Sequence, residues 1–101
     1  MKLSVQQLPH ALRSRATAIV DFYSPTCAHC GAVPGVLKQL QARRPIDAFM
    51  VNVNEDIRTV GQLYDVRVLP TVILFQYGQE VTRTEGALDL SKALRKFGPY
   101  L

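Results

Sequence analysis

Tryptophan is absent from this chain, and cysteine occurs only twice, as Cys27 and Cys30. Two cysteines in 101 residues are too few for a disulfide-stapled secreted scaffold. Long apolar runs are missing too. In the N-terminal stretch MKLSVQQLPHALRSRATAIVDFY the best candidate, AIV, is cut by Asp21. Neither a signal peptide nor a membrane span is therefore expected, and a cytoplasmic location is. Thiols stay reduced there, so a paired CxxC is more often catalytic or metal-binding than structural. A run of five basic residues is also lacking. The net charge of +4 is spread over several segments with no interleaved aromatics, so the basic surface reads as a solvated face and nucleic-acid binding is not expected. There is no repeat, no low-complexity tract and no linker. With 48% apolar residues the chain can build one continuous core, and residues 1–101 read as a single domain.

Met1 to Val5 reads as a short first strand. Leu8 to Arg15 reads as a short helix with Pro9 at its first position and Leu8 and Leu12 on one stripe. Ala18 to Tyr23, AIVDFY, suits a strand buried on both faces, in which Asp21 is out of place. After the cysteines, Val33, Leu37 and Leu40 recur at helical spacing beside Val36. Pro34 sits inside that pattern and predicts a kink, and Arg43, Arg44 and Pro45 end the helix. Ala48 to Val53 is a second buried strand. Val60, Leu63 and Tyr64 mark a short helix. Thr71 to Tyr77 is a third long strand, turned at Gly78-Gln79 into a hairpin partner, Glu80 to Thr84. Leu90, Ala93, Leu94 and Phe97 form a terminal amphipathic helix with Asp89 as its N-cap. The order βαβαβαββα predicts an α/β fold: a mixed central sheet covered by helices on both faces.

Cys27 and Cys30 fall between a buried strand and a helix start. A helix N-terminus carries partial positive charge and free N–H groups, which stabilise a thiolate. The first cysteine precedes the helix and can be exposed, while the second lies about one turn in. That asymmetry suits a two-step exchange, in which Cys27 attacks a substrate disulfide and Cys30 resolves the mixed disulfide. Zinc binding is a competing reading, but it needs three or four ligands. The chain offers Cys27, Cys30, His29 and the distant His10, with no second CxxC. A structural disulfide is another, although its tiny loop adds little entropic stabilisation.

Four features in order resemble the thioredoxin family: VDFYSPTCAHC after a strand, a proline four positions past the second cysteine, YDVRVLPT before the next strand, and FQYGQEV followed by EGAL. The resemblance covers Ser4 to Leu101. It implies that Cys27 is the attacking thiol and Cys30 the resolving thiol. Asp21 matches the family's buried acid behind the second cysteine. Burial without a partner raises its pKa toward neutrality, where it can take the Cys30 proton. Pro70 matches a cis-proline whose preceding residue, Leu69, offers backbone groups to an extended substrate. Gly86 matches a glycine that lets the substrate approach, and Thr26 occupies the place of a contact residue.

The departures from the family pattern bear on function. The usual Trp before the first cysteine is Thr26, and Ala28-His29 replaces Gly-Pro between the cysteines. A protonated imidazole at His29 stabilises the Cys27 thiolate, which makes the couple more oxidising, as in isomerases and oxidants with a His at this place. The family's buried Lys falls at Met50 or Val51, both apolar, and Glu85 adds a negative rim before Gly86. The leading expectation is a protein-disulfide reductase, a monomer with no bound cofactor, acting on disulfide-containing proteins and supplied with electrons from NADPH through a thioredoxin reductase. The alternatives are an isomerase or oxidant poised by His29, a thioredoxin-fold binding module independent of its thiols, and a CxxC-bridged iron–sulfur dimer.

Overall fold

The computed structural model describes residues 1–101. Four strands form one sheet in the order β2-β1-β3-β4: β1 (Ala18–Tyr23), β2 (Asp47–Asn52), β3 (Thr71–Gln76) and β4 (Gln79–Glu85). β2 runs parallel to β1, β3 antiparallel to β1, and β4 antiparallel to β3. Four helices connect and cover them: α1 (Leu8–Arg13), α2 (Val33–Arg43), α3 (Ile57–Tyr64) and α4 (Leu90–Phe97). The parallel β1-α2-β2 crossover and the late hairpin produce the mixed sheet expected from the alternation of patterns.

Side chains alternate across a strand, so the sheet has two apolar faces. Ala18, Val20 and Phe22 of β1 join Ile73 and Phe75 of β3 under α1 and α3, whose Leu8, Leu12 and Val60 complete that cluster. Ile19 joins Val72 and Leu74 under α2 and α4, which contribute Val33, Leu37, Leu40, Ala93 and Phe97. Tyr64 packs its ring 5.4 Å from Phe22 and 5.9 Å from Phe75. Leu63, on the same periodic pattern, is 59% exposed instead.

Several boundaries differ from the sequence reading, each for a local reason. The first strand shrinks to a single parallel bridge, Lys2 to Met50. The chain leaves the sheet at Ser4, whose N–H donates to Gln7 Oε1 (2.8 Å) as Val5–Gln7 coils into a 3-10 turn. α1 stops at Arg13, and Arg15 turns away to pair with Asp47 (2.8 Å) and to lie over the Phe49 ring. Pro34 does not kink a helix interior. A 3-10 turn, Cys30–Ala32, leads in, and Pro34 is the second residue of α2, where its missing N–H has no intrahelical partner to lose. The hairpin turn is Tyr77-Gly78, not Gly78-Gln79. A type I′ connection, whose twist matches the strands, has positive φ at both positions, and these residues have φ 50° and 82°. The N-cap prediction holds: Asp89 accepts from the Lys92 N–H at 2.8 Å.

Candidate active site

β1 ends at Tyr23, paired with Asn52 of β2, while Phe22 pairs with Thr71, which begins β3 and itself pairs with Glu85 at the end of β4. Three chain segments therefore emerge at one end of the sheet: the cysteine loop, the Leu69-Pro70 approach to β3, and Gly86. These are the segments that carry the sequence-predicted site.

Cys27 and Cys30 are joined in a disulfide with Cα atoms 5.3 Å apart. Cys27 is half-buried and Cys30 only 6% exposed, which is the asymmetry expected of an attacking and a resolving sulfur. The loop is held by its own backbone. The Cys27 N–H donates to Ser24 O (3.2 Å), and the Cys30 N–H to Cys27 O (3.3 Å). Ala28 and His29 are exposed, and His29 immediately precedes the 3-10 turn that leads into α2. The pair thus sits at the positive end of an extended helical segment, where a thiolate is favoured over a thiol.

The Leu69-Pro70 bond is cis, as the motif predicts. Pro70 is buried and its carbonyl accepts from the Gly86 N–H at 2.9 Å, so these two residues stand together. Gly86 has φ 87°, a conformation that favours glycine, and a methyl group there would meet nothing within 4 Å. Leu69 packs partly against the α1/α3 core and Thr26 is exposed. Glu85 is exposed, 3.8 Å from Arg83, which also grips Glu80 and the Tyr64 carbonyl.

Asp21 lies on the sheet face that α2 covers, the helix into which Cys30 leads. It is fully buried, and neither carboxylate oxygen has a hydrogen-bond partner. Desolvation alone pushes its pKa up to about 7. The strand register explains why nothing counters that. Asp21 faces Met50 on β2 and Val72 on β3, so the place of the family's lysine is Met50. In the same row Val72 faces Thr84, whose hydroxyl is likewise buried and unpartnered. No group of three His, Cys, Asp or Glu side chains is placed to hold a metal, and no helix is long and apolar enough to cross a membrane.

Ser24 and Asn54 escaped the sequence reading. Asn54, in the 3-10 turn after β2, donates to the Ser24 hydroxyl at 3.2 Å across thirty residues of chain. The only local signal was two hydroxyl residues flanking Pro25.

The thioredoxin family model matches residues 1–97. The chain is 34% identical over 85 residues to thioredoxin-2 of Pyricularia oryzae, which covers 83% of this chain and about half (49%) of that protein. It is 33% identical over 90 residues to thioredoxin 1 of a Nostoc species, covering 84% and 83% of the two chains. The crystal structure of Chlamydomonas reinhardtii thioredoxin f2 superposes with a TM-score of 0.86 over 99% of this chain and 94% of the other, at 22% identity, and so shares the fold. With the fold, the CxxC pair and the family match in agreement, the chain belongs to the thioredoxin family of thiol–disulfide oxidoreductases.

Proposed function

We propose that the chain reduces disulfides in protein substrates, and the half-buried Cys27 bonded to a buried Cys30 is the observation that carries this reading. In the reduced protein, the Cys27 thiolate attacks one substrate sulfur. A Cys27–substrate bond forms, the substrate S–S bond breaks, and the other substrate sulfur leaves as a thiolate and takes a proton. Cys30 then gives its proton to the Asp21 carboxylate and attacks Cys27 Sγ. The second substrate sulfur leaves, and the Cys27–Cys30 disulfide forms. The substrate gains two electrons and the protein loses them. The pKa of Asp21, raised to about 7, suits a group that must accept and release a proton near neutrality. Leu69, Pro70, Gly86 and Thr26 line the end of the sheet where an extended substrate segment pairs beside Cys27. Electrons return from NADPH through a flavin-dependent thioredoxin reductase, the protein works as a monomer, and its place is the cytoplasm.

Separate Cys27→Ser and Cys30→Ser variants test the reading with insulin as substrate. Both should lose turnover, and only Cys30→Ser should trap a mixed disulfide. Unchanged function in the double variant would identify a binding module.

The exposed His29 beside the pair supports a second reading, an isomerase-like poise. Thioredoxins lie near about −270 mV and protein disulfide isomerase near about −180 mV. We expect roughly −210 to −250 mV here, falling in a His29→Pro variant. A value at the thioredoxin end, unmoved by that change, would make His29 silent.

A further inference from the structure

The loop between β1 and the cysteines carries a hydrogen-bond chain that disulfide exchange does not use. Ser24 is 6% exposed, and its hydroxyl oxygen receives two N–H groups: Asn54 Nδ2 at 3.2 Å and the Thr26 backbone N–H at 3.3 Å. A serine oxygen has two acceptor lone pairs and one proton. With both lone pairs engaged, its proton goes to the remaining neighbour, Thr26 Oγ1, at 3.1 Å. Thr26 Oγ1 therefore accepts, and its own proton is left without an acceptor in the protein. The side chain that holds it is exposed and stands one residue before Cys27. The chain runs one way, from Asn54 through Ser24 to Thr26, and successive bonds of this kind polarise one another.

Thr26 occupies a place where the family resemblance expects a large apolar ring, so an apolar contact is exchanged for a directed polar one. We propose that Ser24 and Asn54 are positioning residues that present the Thr26 hydroxyl as a hydrogen-bond donor to a backbone carbonyl of the peptide flanking the substrate disulfide. Thr26 is then the specificity-determining contact, favouring disulfides set in a polypeptide over small disulfides without peptide groups. A site built to donate a hydrogen bond discriminates against a partner that cannot accept it. In the disulfide form the Thr26 hydroxyl makes no bond to the Cys27 sulfur, which leaves its donor open to what arrives. This inference rests on the exchange reaction proposed above.

The test compares kcat/KM for insulin and for diethyl disulfide, which has no peptide group and no nitrogen or oxygen acceptor, together with the Cys27 thiolate titration. Thr26→Val keeps the shape and removes the hydroxyl. It should lower kcat/KM for insulin about tenfold relative to diethyl disulfide, the worth of one hydrogen bond, without moving the titration. Ser24→Ala and Asn54→Ala should follow it in the same direction, and Thr26→Ser should retain activity. An equal loss on both substrates, a moved thiolate titration, or no loss at all in Thr26→Val would overturn the proposal. A parent protein inactive on both substrates would instead overturn the exchange reading. Because Thr26 is exposed, the valine variant carries the test even if Ser24→Ala does not fold.

Discussion

Under α1 and α3, twelve buried residues form one apolar cluster, and the buried Thr71 hydroxyl beside them donates to the Val68 carbonyl. Under α2 and α4, ten buried apolar residues form the other cluster, and beside them Asp21 and Thr84 are buried with no partner. The two faces have comparable apolar content, so the difference is not one of hydrophobic supply. One face obeys the rule that buried polar groups are satisfied, and the other breaks it in a single row running from β1 to β4. That row lies next to the helix that begins at the cysteines. An unsatisfied group of this kind is costly, and groups shifted by burial are concentrated at functional sites.

The contrast can be broken first on the saturated face. Phe22→Ala removes a fully buried ring that packs on Tyr64 and should cost about 3–5 kcal/mol in urea unfolding. That cost should be the same at pH 5 and pH 8, because burial pushes the neighbouring Tyr64 phenol above its ordinary value of 10 and it stays protonated over that range. A strongly pH-dependent cost would show the two faces to be coupled.

On the other face the effect should reverse in sign and depend on pH. Asp21 has a folded pKa of about 7 against an ordinary 3.8. The folded state keeps the proton while the unfolded chain releases it. Stability is therefore undiminished below about pH 4, falls as pH rises toward 7, and stays reduced above. At 1.36 kcal/mol per pKa unit the full penalty is on the order of 4 kcal/mol. Asp21→Asn should match the parent near pH 4, gain up to about that amount at pH 8, and lose the rise in exchange rate through pH 7. A parent stability profile flat between pH 4 and pH 8 would remove Asp21 from its proposed role.

A smaller change sharpens the same point. Met50→Lys places a cation opposite Asp21 on β2 and should move the pH midpoint of both stability and rate downward by about one unit. An unmoved midpoint in a folded variant would mean that the lysine turns to solvent.

Much of this was legible along the chain. The apolar blocks AIVDFY and TVILFQY became β1 and β3 within a residue, and Asp21 stood out because a carboxylate does not belong in such a block. The cis-proline followed from motif resemblance and was found, whereas the left-handed φ of Gly86 came from the structure alone. The failures have separate local causes. The first strand was lost because Ser4 and Gln7 bond to each other and draw the chain off the sheet. Pro34 was placed inside a helix because periodicity cannot distinguish a 3-10 lead-in from the helix proper. Leu63 fits the helical stripe, yet Val60 and Tyr64 are the residues of α3 that pack on the core and Leu63 is exposed.

By itself the sequence determined most of the strands and helices, and it singled out two sulfurs and one acid as candidates for the chemistry. Those properties reside in residue type and in spacing along the chain. Only the tertiary structure decided that Met50, rather than Val51, faces Asp21, that Thr84 shares its row, and that Asn54 reaches Ser24. A one-residue slip in strand register sends every side chain to the opposite face. Hydrogen bonds between distant turns depend on separation in space, and residue order along the chain does not specify it.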